Sequence, residues 1–148
     1  MKISWTIKIF DVLKPEELYA IMQLRNEVFV LEQNCVFQDA DNKDHAAYHL
    51  MGWQQDKLVA YTRLLPPGIV YKEPSIGRVV TSPSIRRTGV GKKLMEESIQ
   101  QIKLLFGNLP IKIGAQLYLL KFYTEIGFKQ TGQVYLEDGI EHVEMQFP

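Results

Sequence analysis

The stretch Arg86-Arg87-Thr88-Gly89-Val90-Gly91-Lys92-Lys93 sets four positive charges around two glycines, just where an apolar helical pattern begins. Two poor helix formers at a helix start admit two readings. One is an anion site, where free backbone N–H groups and the positive end of the helix dipole meet a phosphate. The other is a flexible, solvated turn. These residues alone leave both open, but two nucleotide loops are excluded. A Walker A loop runs Gly, four residues, Gly-Lys-Ser/Thr, whereas Arg86 and Lys93 stand at its first and last positions. A dinucleotide fingerprint needs a third glycine where Leu94 stands.

Other reactive types are scattered. Tyr123 falls in an amphipathic segment and reads, from periodicity, as a core tyrosine. Glu137, Asp138 and His142 cluster near the end of the chain, where Asp138-Gly139 is a preferred hairpin turn. His49 and Arg63 lie in strand-like runs. Cys35, His45 and His49 form no zinc-ligand pattern. Residues 39–44 lack the glycine of a calcium loop and carry Lys43 at a ligand place, so no metal is expected.

The elements that must position these groups follow from periodicity. Residues 3–10 alternate and are rich in β-branched and aromatic types, a strand. Pro15, Glu16 and Glu17 open a helix over 16–33, with Leu18, Ile21, Met22, Val28 and Phe29 on one face. Arg25 and Glu32 fall within that apolar arc, seven residues and roughly 10 Å apart. Charges there need partners or a wet cleft: they are structural ion bridges or they border a binding pocket. Glu27 and Gln33 fall toward other faces. Residues 34–45 read as a polar loop, and 46–54, 57–65 and 75–82 as strands. A helix from Gly89 to Gly107 carries the stripe Val90, Leu94, Ile99, Ile102 and Leu105. A strand at 110–116, a helix at 117–126 and strands at 128–137 and 142–147 complete the order βαβββαβαββ. That order predicts one α+β domain, residues 1–148, with a mixed sheet.

The composition agrees: 46% hydrophobic, 23% charged, and 17 basic against 17 acidic residues. Zero net charge argues against a nucleic-acid module. No signal segment or long apolar run is seen, so a cytoplasmic, non-membrane protein is expected.

The segment Arg86-x-x-Gly89-x-Gly91 after a strand and Pro83, followed about thirty residues later by "FYTEIGF" (122–128), resembles the GNAT N-acetyltransferase superfamily. The stretches "LRNEVFVLEQNCVFQDADNKD", "TRLLPPG" and "YLEDGIEHVEM" resemble its ElaA-like branch. The resemblance covers nearly the whole chain. It implies the GNAT fold, a central twisted mixed sheet of about seven strands flanked by helices, and acetyl-coenzyme A as acyl donor. The pyrophosphate would meet Arg86, Arg87, Thr88, Gly89, Val90, Gly91 and Lys92. The pantetheine arm would run along Val79, Val80 and Thr81, with Gln116 also contacting the cofactor. Tyr123 would protonate the leaving thiolate. The strand before the signature lacks the glutamate base of many relatives, leaving Glu137 and His142 as candidate bases. Arg25, Glu32 and His49 are candidate acceptor contacts. The implied activity is direct acetyl transfer, in a ternary complex, to a small-molecule or peptide amine. The alternative is a silent acyl-CoA-binding or regulatory domain. The acidic residues of 32–44 and 137–141 favour a cationic acceptor, and a homodimer is left open.

Overall fold

A computed structural model describes residues 2–148. Seven strands form one sheet in the order β1-β2-β3-β4-β5-β7-β6. They are β1 (Ser4–Ile9), β2 (Tyr48–Gln54), β3 (Lys57–Leu65), β4 (Ser75–Thr81), β5 (Ile111–Gln116), β6 (Lys129–Glu137) and β7 (Ile140–Phe147). The helices are α1 (Pro15–Arg25), α2 (Val90–Phe106) and α3 (Leu120–Ile126). Among the described strands only β4 and β5 run parallel, because α2 carries the chain between them.

Alternation assigns side chains to the two faces. Met51, Tyr61 and Val80 turn toward Ile21, Leu24 and Val28 of the first helical segment. Leu50 and Ala60 turn to Val90 and Leu94 of α2. A third cluster joins Met95 and Ile102 to Ile111, Ile113, Tyr123, Phe128 and Met145. The buried stripe of α2 is Val90, Leu94, Met95, Ser98 and Ile102. Leu105, expected on that stripe, is 37% exposed.

The first helix also departs from its periodicity. It is α-helical only to Arg25, and Asn26–Glu32 continues as π-helix. Bonds such as Gln33 N–H to Val28 O, 3.1 Å, span five residues instead of four. Each such turn holds an extra residue, so faces assigned at 3.6 residues per turn drift after Arg25.

The loop that follows is held by ion pairs. Arg25, fully buried, donates to Asp39 at 2.7 Å and to Asp44 at 2.8 Å. Arg63 donates to both oxygens of Asp41 at 2.7 and 2.6 Å and to Asp44 at 3.0 Å. Arg78 Nε lies 2.8 Å from Asp39 Oδ1, an ion-pair distance without hydrogen-bond alignment. Burial alone would raise the Asp41 carboxyl, but the Arg63 guanidinium outweighs it and holds Asp41 well below the usual carboxylate range. Asp44 is lowered in the same way by Arg25. The Cys35 thiol donates to Asp138 O at 3.2 Å, joining this loop to the β6–β7 turn.

Two outcomes follow for stability. Removing one partner from a buried pair strands charge, so Arg25→Met is expected to cost about 3–5 kcal/mol in urea unfolding. Burial lowers the His49 pKa, so its protonation in the unfolded chain begins to destabilise the fold below pH 6.5. Asp41 and Asp44, depressed in the fold, contribute stability that is present above 3.8 and lost as pH falls further. Urea midpoints are therefore expected to fall from pH 7 toward pH 5, and more steeply below pH 4.

Candidate active site

Beta strands 4 and 5 pair only at Ser75 and Lys112 and then diverge. The cause lies in β4. Opposite Tyr61 and Arg63 of β3 stand Val80 and Gly77, so β4 carries one extra residue across that interval. Arg78, in the bulge, has φ 47°. Such a bulge bends the strand and disrupts its ladder. The divergence opens a cavity of about 790 Å³. Val79, Val80 and Thr81 line one bank, and Ile113, Gly114 and Gln116 the other.

Arg86, Arg87 and Gly91 reach this cavity, while Thr88, Gly89 and Val90 border a shallower hollow beside Trp5. Lys92 is exposed and lines neither. Gly89 is the residue before α2, with φ 85° and ψ 0°. A Cβ there would meet nothing within 4 Å. Its requirement is therefore the left-handed backbone, which penalises other residues by about 1–2 kcal/mol, and not lack of space. The first intrahelical bond is Lys93 N–H to Gly89 O at 3.1 Å, which leaves the N–H groups of Val90, Gly91 and Lys92 outside the helix ladder. Arg86 is engaged by both oxygens of Glu32, at 2.5 and 2.6 Å. That contact holds the Glu32 carboxyl below its ordinary value.

Also on the cavity wall, Tyr123 is 4% exposed, its ring edge-on to Phe122 and Phe128. Burial drives its pKa above the usual tyrosine range. His142 is 6% exposed and stacks on Tyr135. Its Nδ1 lies 2.7 Å from Ile140 O. A carbonyl only accepts, so Nδ1 carries a proton, and in the neutral ring the lone pair lies on Nε2. Glu137 Oε2 is 3.7 Å from Nε2, outside hydrogen-bond reach. Tyr71 and Tyr135 bring their hydroxyls together over Gly114, where a Cβ would lie 3.2 and 2.5 Å from them.

These strands, cleft and glycine loop are what a family comparison can test. A model described as "Acetyltransferase (GNAT) domain" matches residues 16–147. The chain belongs to the GNAT acetyltransferase family. It is 39% identical over 145 residues to protein ElaA of Escherichia coli, covering 97% of this chain and 95% of that one. The ElaA crystal structure superposes with a TM-score of 0.93 over 99% of this chain and 100% of that one. A Pseudomonas aeruginosa acyl-CoA N-acyltransferase superposes with a TM-score of 0.94 at 41% identity, over 99% and 100% of the two chains. An aminoglycoside 6'-N-acetyltransferase complexed with coenzyme A shares the fold, with a TM-score of 0.71 at 17% identity over 95% of each chain. The GNAT fold and the ElaA-like branch expected from the sequence are thus correct.

Several expected contacts need correction. Arg25 and His49 are closed to the cavity. Arg25 belongs to the ion network, being the largest buried polar group beneath the loop. His49 is 0% exposed, accepting from Tyr61 at Nδ1, 2.7 Å, and donating from Nε2 to Asp44 O, 2.9 Å. Glu32 faces Arg86 instead of an acceptor. With Asp39, Asp41 and Asp44 also paired, the acidic loop offers little free charge to a cation. Of the two acidic groups, Glu137 and Asp138 remain on the cavity wall. Gln33, Gly114, Tyr71 and Tyr135 line the cavity and escaped the motif. Periodicity set Gln33 toward another face, and the π-helical turns before it bring it to the cavity instead.

The Gly114 arrangement is testable. Gly114→Ala drives a methyl into the Tyr135 hydroxyl and is expected to cost about 1–3 kcal/mol in urea unfolding. Adding Tyr135→Phe removes the atom in the way and is expected to restore most of that loss.

Proposed function

We propose that this GNAT protein moves the acetyl group of acetyl-coenzyme A directly to a primary amine, both substrates being bound at once. The observation that carries the reading is one cavity lined by Arg86, Arg87 and Gly91 as well as by Tyr123 and His142. The residues fit the donor: unpaired main chain along the splayed β4 suits an extended amide-bearing arm, and free N–H groups at α2 suit a pyrophosphate. A fold neighbour holding coenzyme A supports the same assignment.

Acetyl-coenzyme A supplies the thioester, whose carbonyl carbon gains the amine nitrogen while its C–S bond breaks. His142 Nε2 takes the proton that the amine loses. Glu137, beside it, stabilises the imidazolium so formed. Tyr123 gives its proton to the departing sulfur, and burial keeps that phenol protonated at neutral pH. Arg86 and Arg87 hold the donor's phosphates, with Lys92 contributing charge from the helix surface. The acceptor is a small-molecule or peptide amine that approaches between the 33–45 loop and the β6–β7 hairpin.

Thiol release with an amine panel tests this. Tyr123→Phe and His142→Gln are each expected to lower kcat by about 10²–10⁴-fold. Coenzyme A binding with no release above background, for any amine, is the result a silent binding domain would give. By calorimetry, Gly89→Val is expected to weaken coenzyme A binding, since a β-branched residue resists the left-handed turn. Unchanged affinity would remove the glycine loop from the site.

A further inference from the structure

Two adjacent residues at the end of the π-helical segment reach opposite banks of the cleft. Glu32 grips Arg86 on the glycine-loop bank. Gln33 crosses to Gln116 at the end of β5, donating from Nε2 to Oε1 at 3.2 Å and accepting the reverse bond at 3.3 Å. Both glutamines line the cavity. Their separation in sequence, 83 residues, makes this a tertiary contact that no local preference produces.

The position of Gln116 gives the pair its meaning. Across the sheet Gln116 stands opposite His142, and His142 opposite Tyr135. Directly opposed side chains lie about 4.5–5.5 Å apart at Cβ. The amide pair therefore flanks the imidazole on the cavity side. A primary amide has two N–H donors and two acceptor lone pairs. Each reciprocal bond consumes one donor and one acceptor, so the pair retains two donors and two acceptors. Those are fixed relative to one another by the mutual bonds, at the ends of β5 and of the π-helical segment. An acceptor lone pair suits the N–H of an incoming amine, and a donor suits a thioester carbonyl oxygen.

We infer that Gln33 is a positioning residue of the transfer reaction. Through Gln116 it orients the hydrogen-bonding groups that hold the amine and the thioester carbonyl beside His142. The inference rests on the acetyl-transfer reading above. It adds a residue outside the motif and assigns a role to the π-helical segment. An α-helical continuation would turn Gln33 away from β5.

The test is kinetic, with binding measured alongside. Gln33→Met keeps side-chain length and loses both bonds, while Gln33→Glu keeps only the acceptor. Expected is a kcat fall of at least about tenfold for Gln33→Met, because misplacement near the reacting atoms costs that much or more. Gln33→Glu should fall between it and wild type. Coenzyme A affinity and the thermal midpoint should stay at wild-type values, which a merely structural role would not allow. Gln33→Met combined with Gln116→Met should be no slower than Gln116→Met alone, the signature of residues acting as a unit. Wild-type kcat in Gln33→Met, or losses that multiply in the double variant, would overturn the inference. Wild-type thiol release and coenzyme A binding report separately on the acetyl-transfer reading. If the wild type binds but does not turn over, the side-chain amide NMR signals of Gln33 and Gln116 decide. Expected is a joint shift with acetyl-coenzyme A that Gln33→Met abolishes at Gln116; unmoved signals overturn the inference. A wild type that binds no coenzyme A overturns both.

Discussion

The ion pairs of Arg63 and Arg78 with the loop aspartates hold the cleft open. Arg63 stands opposite Gly77 on β3, and Arg78 occupies the bulge of β4. A bulge with a non-glycine residue at positive φ is costly unless its surroundings fix it. Here Asp39 and Asp41 fix it from the loop. The same contacts anchor the loop that leads from the first helix to β2, so the bend of β4 and the placement of that loop beside the cavity are one construction. Were β4 regular, its main chain would pair with β5 beyond Ser75 and no cavity would form.

Around that opening the chemistry is divided by environment. Tyr123 is surrounded by aromatic rings, where burial disfavours the phenolate. His142 is buried beside Tyr135, with its Nδ1 proton held by one carbonyl. A phenol among aromatic rings and an imidazole stacked on a tyrosine thus line one cavity. His49 shows the contrast: both nitrogens are committed to partners, and no face is left for a substrate.

The loop 34–45 carries a further lesson about charge. Its aspartates look in sequence like a trap for cations. In the fold, Asp39, Asp41 and Asp44 meet arginines from α1, β3 and β4, elements on both sides of the loop in sequence. Desolvated pairs of this kind are weak sources of net stability but exacting about geometry. They specify where the loop lies instead of what it binds.

Much of this was legible in the residues. Alternation in β1–β3, the Asp138-Gly139 turn and the apolar stripe of α2 announced the element order, because local periodicity and turn chemistry are properties of neighbouring residues. Arg86-x-x-Gly89-x-Gly91 and "FYTEIGF" announced the family. The tertiary structure decided the rest. It wired His49 and Arg25 into the interior, paired Glu32 with Arg86, and brought Gln33 to Gln116 through a π-helical end that a 3.6-residue repeat does not foresee. The reason is physical: a hydrogen bond between residues 83 apart depends on strand register and helix pitch together, and neither is encoded in the spacing of any one segment.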